Sequence, residues 1–184
     1  LKPIFSSHLI LDACCILNIC ATGHFSEILS SLPSACFVSE VVRSKELKSL
    51  HRLEADYLQG SSQFNEVIVQ GLLQVVDFET EAEQISFLDY IMELGDDGES
   101  ATFALAGQRG WAVATDDRKA ISFARQNFPE MKIISTPQII HDWATQNKVD
   151  AQRLKSILEQ VHKIGKYQPG RHELLFDWWM NAIQ

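Results

Sequence analysis

The sequence predicts an α/β protein: a three-layer α/β/α sandwich around a central, mainly parallel sheet, with a C-terminal helical extension. Three observations carry the prediction. Short apolar runs alternate with stretches of helical periodicity, which implies a parallel sheet covered on both faces. Two of those runs, HLIL and WAVAT, end directly on acids, Asp12 and the Asp116–Asp117 pair. The chain beyond Asp150 is helical throughout and carries Trp178 and Trp179. At 184 residues the whole suits one domain, with a core over about 7–147 and the extension over 150–184.

In chain order, His8–Leu11 reads as a buried strand ending at Asp12. Helical stretches follow, through Ile16, Leu17 and Ile19 and then His24–Leu32. Pro33 precedes a second strand, Ala35–Val38, and a long helix is expected from Glu40 to Leu58. Gln59 to Gln63 is a turn-rich connector, after which Glu66–Val69 and Leu73–Phe78 read as short strands or one extended arm. Two helices, Glu79–Leu94 and Gly98–Arg109, are separated by Gly95-Asp-Asp-Gly98, where Asp97 is the expected cap. The strand Trp111–Thr115 leads into a helix over Asp117–Asn127. A further strand, Lys132–Ser135, leads into a helix that opens at Thr136-Pro137, with proline in its favoured first turn.

Composition is that of an ordinary globular protein, 46% hydrophobic and 22% charged, and no apolar run is long enough to cross a bilayer. The apolar start is interrupted by Asp12 and Asn18 and lacks a secretory cleavage pattern, which predicts an intracellular, cytoplasmic protein. Cys14, Cys15, Cys20 and Cys36 form no C-x-x-C pair, so they read as buried thiols rather than zinc ligands. The net charge of −8 opposes a nucleic-acid partner, but the charge is unevenly spread. Asp77 to Glu99 holds nine acids and no Lys or Arg, whereas Arg118 to Arg171 holds ten basic residues against four acidic ones. A basic face is therefore compatible with an acidic total, as is an ordinary solvated helical surface.

Asp12, Glu99, Asp116 and Asp117 are the candidate metal ligands. In an open parallel sheet, sites form beyond the carboxyl ends of the strands, where Asp12 and the Asp116–Asp117 pair lie. Glu99 opens the GESATFALA helix and is placed to face the same rim. Clustered carboxylates repel one another, and Mg²⁺ or Mn²⁺ relieves that conflict with the hard oxygen ligands it prefers. Such an ion activates water and stabilises charge on a phosphoryl oxygen, so phosphodiester hydrolysis is the chemistry this set suits. Taken singly, Asp116, Asp117 and Glu99 each read as helix-start residues. Asp12 is different, because an acid closing an apolar strand is costly to desolvate without a partner.

The segments LDACCILN, GDDGESATFALAGQRG and ATDDRKAISFA, taken in order, resemble the PIN-domain family over Leu9–Thr145. The resemblance matches Asp12, Asn18, Glu99 and the pair Thr115 and Asp117 to the family's motif positions. Asp116, between the last two, is a further candidate ligand. It also implies an acid in the helix after the second strand, for which Glu46 is the better match and Glu40 the alternative. It implies a Mg²⁺- or Mn²⁺-dependent endoribonuclease in which Asp12, Glu46, Glu99, Asp116 and Asp117 are catalytic. Asn18, Thr115, Arg118 and Lys119 would bind the substrate side. Many family members are toxins held by an antitoxin protein, and many are homodimers; an RNA substrate, an antitoxin and a homodimer are the partners it implies. This chain continues past the usual toxin length with KYQPGRHELLFDWWMNAIQ, which sets the toxin role apart from the nuclease reading. A phosphatase of the haloacid dehalogenase type needs a second Asp two residues after the first, where this chain has Cys14. A non-catalytic PIN-like module that binds RNA or protein is the remaining alternative.

Overall fold

The computed structural model describes residues 6–46 and 60–184, the side chain of Glu46 excepted. Strand β1 (His8–Leu11) is followed by helices α1 (Ala13–Ala21) and α2 (Phe25–Ser31), then by β2 (Ala35–Ser39) and a π-helical turn, Val42–Glu46. The chain continues with α3 (Gly60–Val69), β3 (Leu73–Val76), α4 (Glu81–Leu94) and α5 (Asp97–Arg109). Next come β4 (Ala112–Ala114), α6 (Arg118–Asn127), β5 (Ile133–Ile134), α7 (Thr136–Gln146), α8 (Ala151–Lys163) and α9 (Phe176–Ala182).

The five strands form one sheet in the order β3-β2-β1-β4-β5, and every pairing is parallel. The order reverses between β1 and β4, so a crevice opens just beyond their carboxyl ends. Successive side chains of β1 serve opposite faces. Leu9 and Leu11 join α1, α2, α3, α7 and α8 in one core cluster, and Ile10 joins Phe37, Val113 and side chains of α5 and α6 in the other. All three are fully buried, as expected of a strand covered on both sides. The result is an α/β/α sandwich.

Local sequence explains where the helices begin and end. Thr80 and Glu83 form a reciprocal capping box at the start of α4, and Gly95, at φ +71°, ends it in the left-handed conformation. Ser135 and Gln138 form the same kind of box at α7, with Pro137 in the first turn. The cap of α5 is Asp96 rather than Asp97: its carboxylate accepts the Glu99 N–H, while Asp97 pairs with Lys45. Gly95 supplies the chain reversal, which leaves Asp96 as the last extended residue before the helix.

Two further expectations differ from the structure. Glu66–Val69 is the end of α3 rather than a strand, and Gly60–Gln63 is its first turn rather than a connector. Phe64 and Val67 are buried, and α3 packs on α1 and α2, so burial of one helical face outweighs the β-branched composition. Of the helix expected over Glu40–Leu58, the described residues include the π-helical turn Val42–Glu46, and the remainder lies outside the described residues.

The C-terminal helices belong to the α1 side of the sheet. Ile157, Leu158, Val161 and the fully buried Trp179 share a core cluster with Leu9 and Leu11. All four cysteines are free thiols, and burial raises Cys36 to about 12 and Cys20 further still, which makes both inert hydrophobes. Among the described residues no single helix is long and apolar enough to cross a membrane. The apolar pair α1 and α2 meets at 116° and contributes to the core.

Candidate metal centre

Asp12 follows β1, and its backbone N–H donates to the Ala114 carbonyl at 3.0 Å, which ties it to the end of β4. Its carboxylate caps α1 by accepting the Ala13 N–H at 2.8 Å. The other oxygen accepts the Thr115 hydroxyl at 3.1 Å and the Cys14 thiol at 3.3 Å. Only 4% of Asp12 is exposed. Burial raises its pKa, the hydrogen bonds oppose the rise, and the negative charge of Asp96 adds to it.

Thr115, fully buried, also accepts the Asp117 N–H at 3.2 Å. One hydroxyl thus sets the position of two acids. Asp117 caps α6 through Oδ1 alone, which accepts the N–H groups of Lys119 and Ala120 at 2.7 and 2.9 Å. Glu99 lies in the first turn of α5, half-buried, and is pushed up to about 8 by burial and then by the charges of Asp117, Asp12 and Asp96. Lys119 acts against that rise, but its ammonium is held by the Leu94 carbonyl at the end of α4. Asp12, Asp96, Glu99 and Asp117 therefore share one field beyond β1 and β4.

Asp116 turns the other way. One of its oxygens accepts the Thr136 N–H at 2.8 Å, and the other accepts the Thr136 hydroxyl, the Asn18 amide at 3.0 Å and the Cys15 thiol at 3.5 Å. Burial raises its pKa against these bonds. The side chain is a strut that joins the end of β4 to α1 and α7, and Asn18, 4% exposed, is part of that strut rather than of an open surface. Cys14 stands between the two halves of the site, donating to Asp12 and accepting the Asp116 N–H at 3.3 Å.

The structure thus brings together Asp12, Glu99, Thr115 and Asp117 and sets Asp116 and Asn18 behind them. The side chain of Glu46 lies outside the described residues, although the turn that carries it packs against α5. Glu40 is engaged by Arg43 at 2.8 and 3.0 Å. Arg118 is exposed at the start of α6. Two contributors went unassigned from sequence, Asp96 and Thr136. The adjacent acids in GDDGE were the available signal for the first; for Thr136, the surrounding residues read only as a helix start.

The donor chemistry fits a hard divalent cation. Asp12, Asp96, Glu99 and Asp117 offer carboxylate oxygens only, and a cation there would offset the burial and then the repulsion that together raise Glu99. Among the described residues, the three ligand-type side chains whose donor atoms lie within 4.8 Å of one another are Cys14, Cys15 and Asp116. That tighter group suits a hydrogen-bond network better. Its Cys15 thiol is fully buried and raised well above its usual value by burial, which makes it a poor thiolate ligand. No family model, no curated protein and no solved structure matches this chain.

Proposed function

We propose that the protein is a Mg²⁺- or Mn²⁺-dependent ribonuclease of the PIN type, hydrolysing phosphodiester bonds at the rim beyond β1 and β4. The observation that carries the reading is the convergence of Asp12, Glu99 and Asp117, from three separate segments, on one field at the reversal of strand order. The ordered resemblance of the LDACCILN, GDDGES and ATDD segments to that family supports it.

Asp12, Glu99 and Asp117 would hold the ion, with Asp96 close enough to add to its negative field. When bound, the ion supplies Lewis acidity and a reactive water for attack on phosphorus. Thr115 keeps Asp12 and Asp117 in register by donating to one and accepting from the backbone of the other. Asp116 acts at one remove, by bracing α1 and α7 beneath the rim. Glu99 carries a proton at neutral pH without the ion and gives it up on binding. Arg118, exposed beside Asp117, would meet substrate phosphate. A toxin role, an antitoxin partner and a homodimer belong to the same proposal through the family resemblance alone.

The test is cleavage of single-stranded RNA by wild type and Asp12→Asn, with Mg²⁺ and with chelator. Asn keeps the shape and removes a buried charge, so the variant is expected to fold and to lose on the order of 10³-fold in rate. Undiminished cleavage by Asp12→Asn, or cleavage by wild type in chelator, would overturn the assignment.

A further inference from the structure

A cleft of about 400 Å³ opens beside the acids, between α6, the start of α7 and the C-terminal turn that carries His172 and Leu174. Thr115, the residue bonded to Asp12, lines its inner end. Along one wall Arg118, Ser122 and Arg125 follow each other on one face of α6, at helical spacing. Neither arginine makes an ion pair or hydrogen bond with any described residue, whereas Arg43, Lys45, Arg109 and Arg153 each pair with an acid. Among the described residues the only acid lining the cleft is Glu173, and its carboxylate is turned into its own loop, accepting the Tyr167 hydroxyl and the Gly170 N–H. The opposite wall presents Leu174, a large apolar side chain left 86% exposed.

From this arrangement we infer that the cleft is the subsite for the single-stranded RNA flanking the scissile bond, with Arg118 and Arg125 on its phosphates and Leu174 against a base. The inference rests on the nuclease reading and extends it to a strand path and to a role for the C-terminal segment. Two unpaired guanidinium groups about two helical turns apart suit a run of phosphates better than a single anion. A cleft of this volume takes roughly one nucleotide, and an exposed apolar face offers its energy only to a base that is not already stacked. The wall that Leu174 provides exists only because the chain continues past α8 and turns back towards α6.

The experiment measures binding of a fluorescein-labelled single-stranded oligouridylate by anisotropy, in chelator so that nothing is cut, across a salt series. Arg118→Gln/Arg125→Gln is expected to lose at least about tenfold in affinity and to flatten the slope of log K against log salt by about 1.4, from about 0.7 per phosphate contact. Leu174→Ser is expected to lose affinity several-fold with the slope unchanged. Lys163→Gln, on α8, serves as the control, and circular dichroism confirms that each variant is folded. Wild-type affinity and slope in the double arginine variant would overturn the proposal. If wild type cleaves RNA with Mg²⁺ while the double variant binds as wild type does, the cleft assignment falls and the nuclease reading stands. If the variants weaken binding as expected but wild type never cleaves, the nuclease reading falls and the cleft remains an RNA-binding site.

Discussion

Glu99 holds a proton at neutral pH because burial and three neighbouring acids disfavour its charge, raising it from 4.5 to about 8. Between those two values the folded protein binds more protons than the unfolded chain, so stability falls as pH rises through that window and stays lowered above it. Asp12, raised by burial, acts in the same direction. Glu99→Gln removes the penalty without changing the side-chain shape. In chelator, the variant is expected to melt roughly 2–4 °C above wild type at pH values above about 8, and the gap should close below about 4.5. Thermal unfolding followed at a series of pH values measures this. A variant that melts below wild type throughout would show that Glu99 is stabilised rather than strained by its neighbours. Thr115 is the residue on which the other acids depend most. Thr115→Val keeps the volume but removes the donor to Asp12 and the acceptor of Asp117, so a loss of about 1–3 kcal/mol in urea unfolding is expected.

At the level of elements, the C-terminal turn approaches α1 so closely that Gly165 has no room for a Cβ atom. Such an atom would meet the Val161 carbonyl oxygen at 2.7 Å and the Asn18 side-chain oxygen at 2.9 Å. Gly165→Ala is therefore expected to cost about 1–3 kcal/mol and to lift the turn away from Asn18, which a lowered urea midpoint and faster proteolysis after α8 would register. Sequence alone made β1 and β4 legible, because an apolar run of strand length that stops on an acid suits a buried strand reaching a polar rim. Thr136-Pro137 likewise marked the start of α7, and the structure adds the Ser135–Gln138 box. Sequence could not assign α3. The run EVIVQGLLQVV is rich in β-branched residues, and only packing of Phe64 and Val67 on α1 and α2 makes its first part helical. The choice between Asp96 and Asp97 was equally closed to sequence, since it depends on the left-handed turn at Gly95. Asp116 and Asp117 are adjacent and chemically alike. Thr136, twenty residues later, draws the first inward, and the N-terminus of α6 holds the second at the rim.

For the whole molecule, the proposed function would make stability depend on a cation held by the four acids at the rim. Mg²⁺ that binds only the folded state should raise the melting temperature with concentration, by the equivalent of about 2.7 kcal/mol at a hundredfold excess over Kd. Asp12→Asn/Asp117→Asn is expected to abolish the dependence while leaving a cooperative transition, which differential scanning fluorimetry tests; an undiminished Mg²⁺ response would place the cation elsewhere. The pairing of β1 with β4 has one more consequence. Asp12 and Thr115 are 103 positions apart, and β1 can pair with β4 only after the chain between them has been made. A polypeptide still emerging from the ribosome has made Asp12 long before it has made Glu99 or Asp117. Under the proposed activity, the nascent chain is thus harmless to the message and ribosomal RNA around it, because its cutting centre assembles only after the fourth strand has been released and inserted.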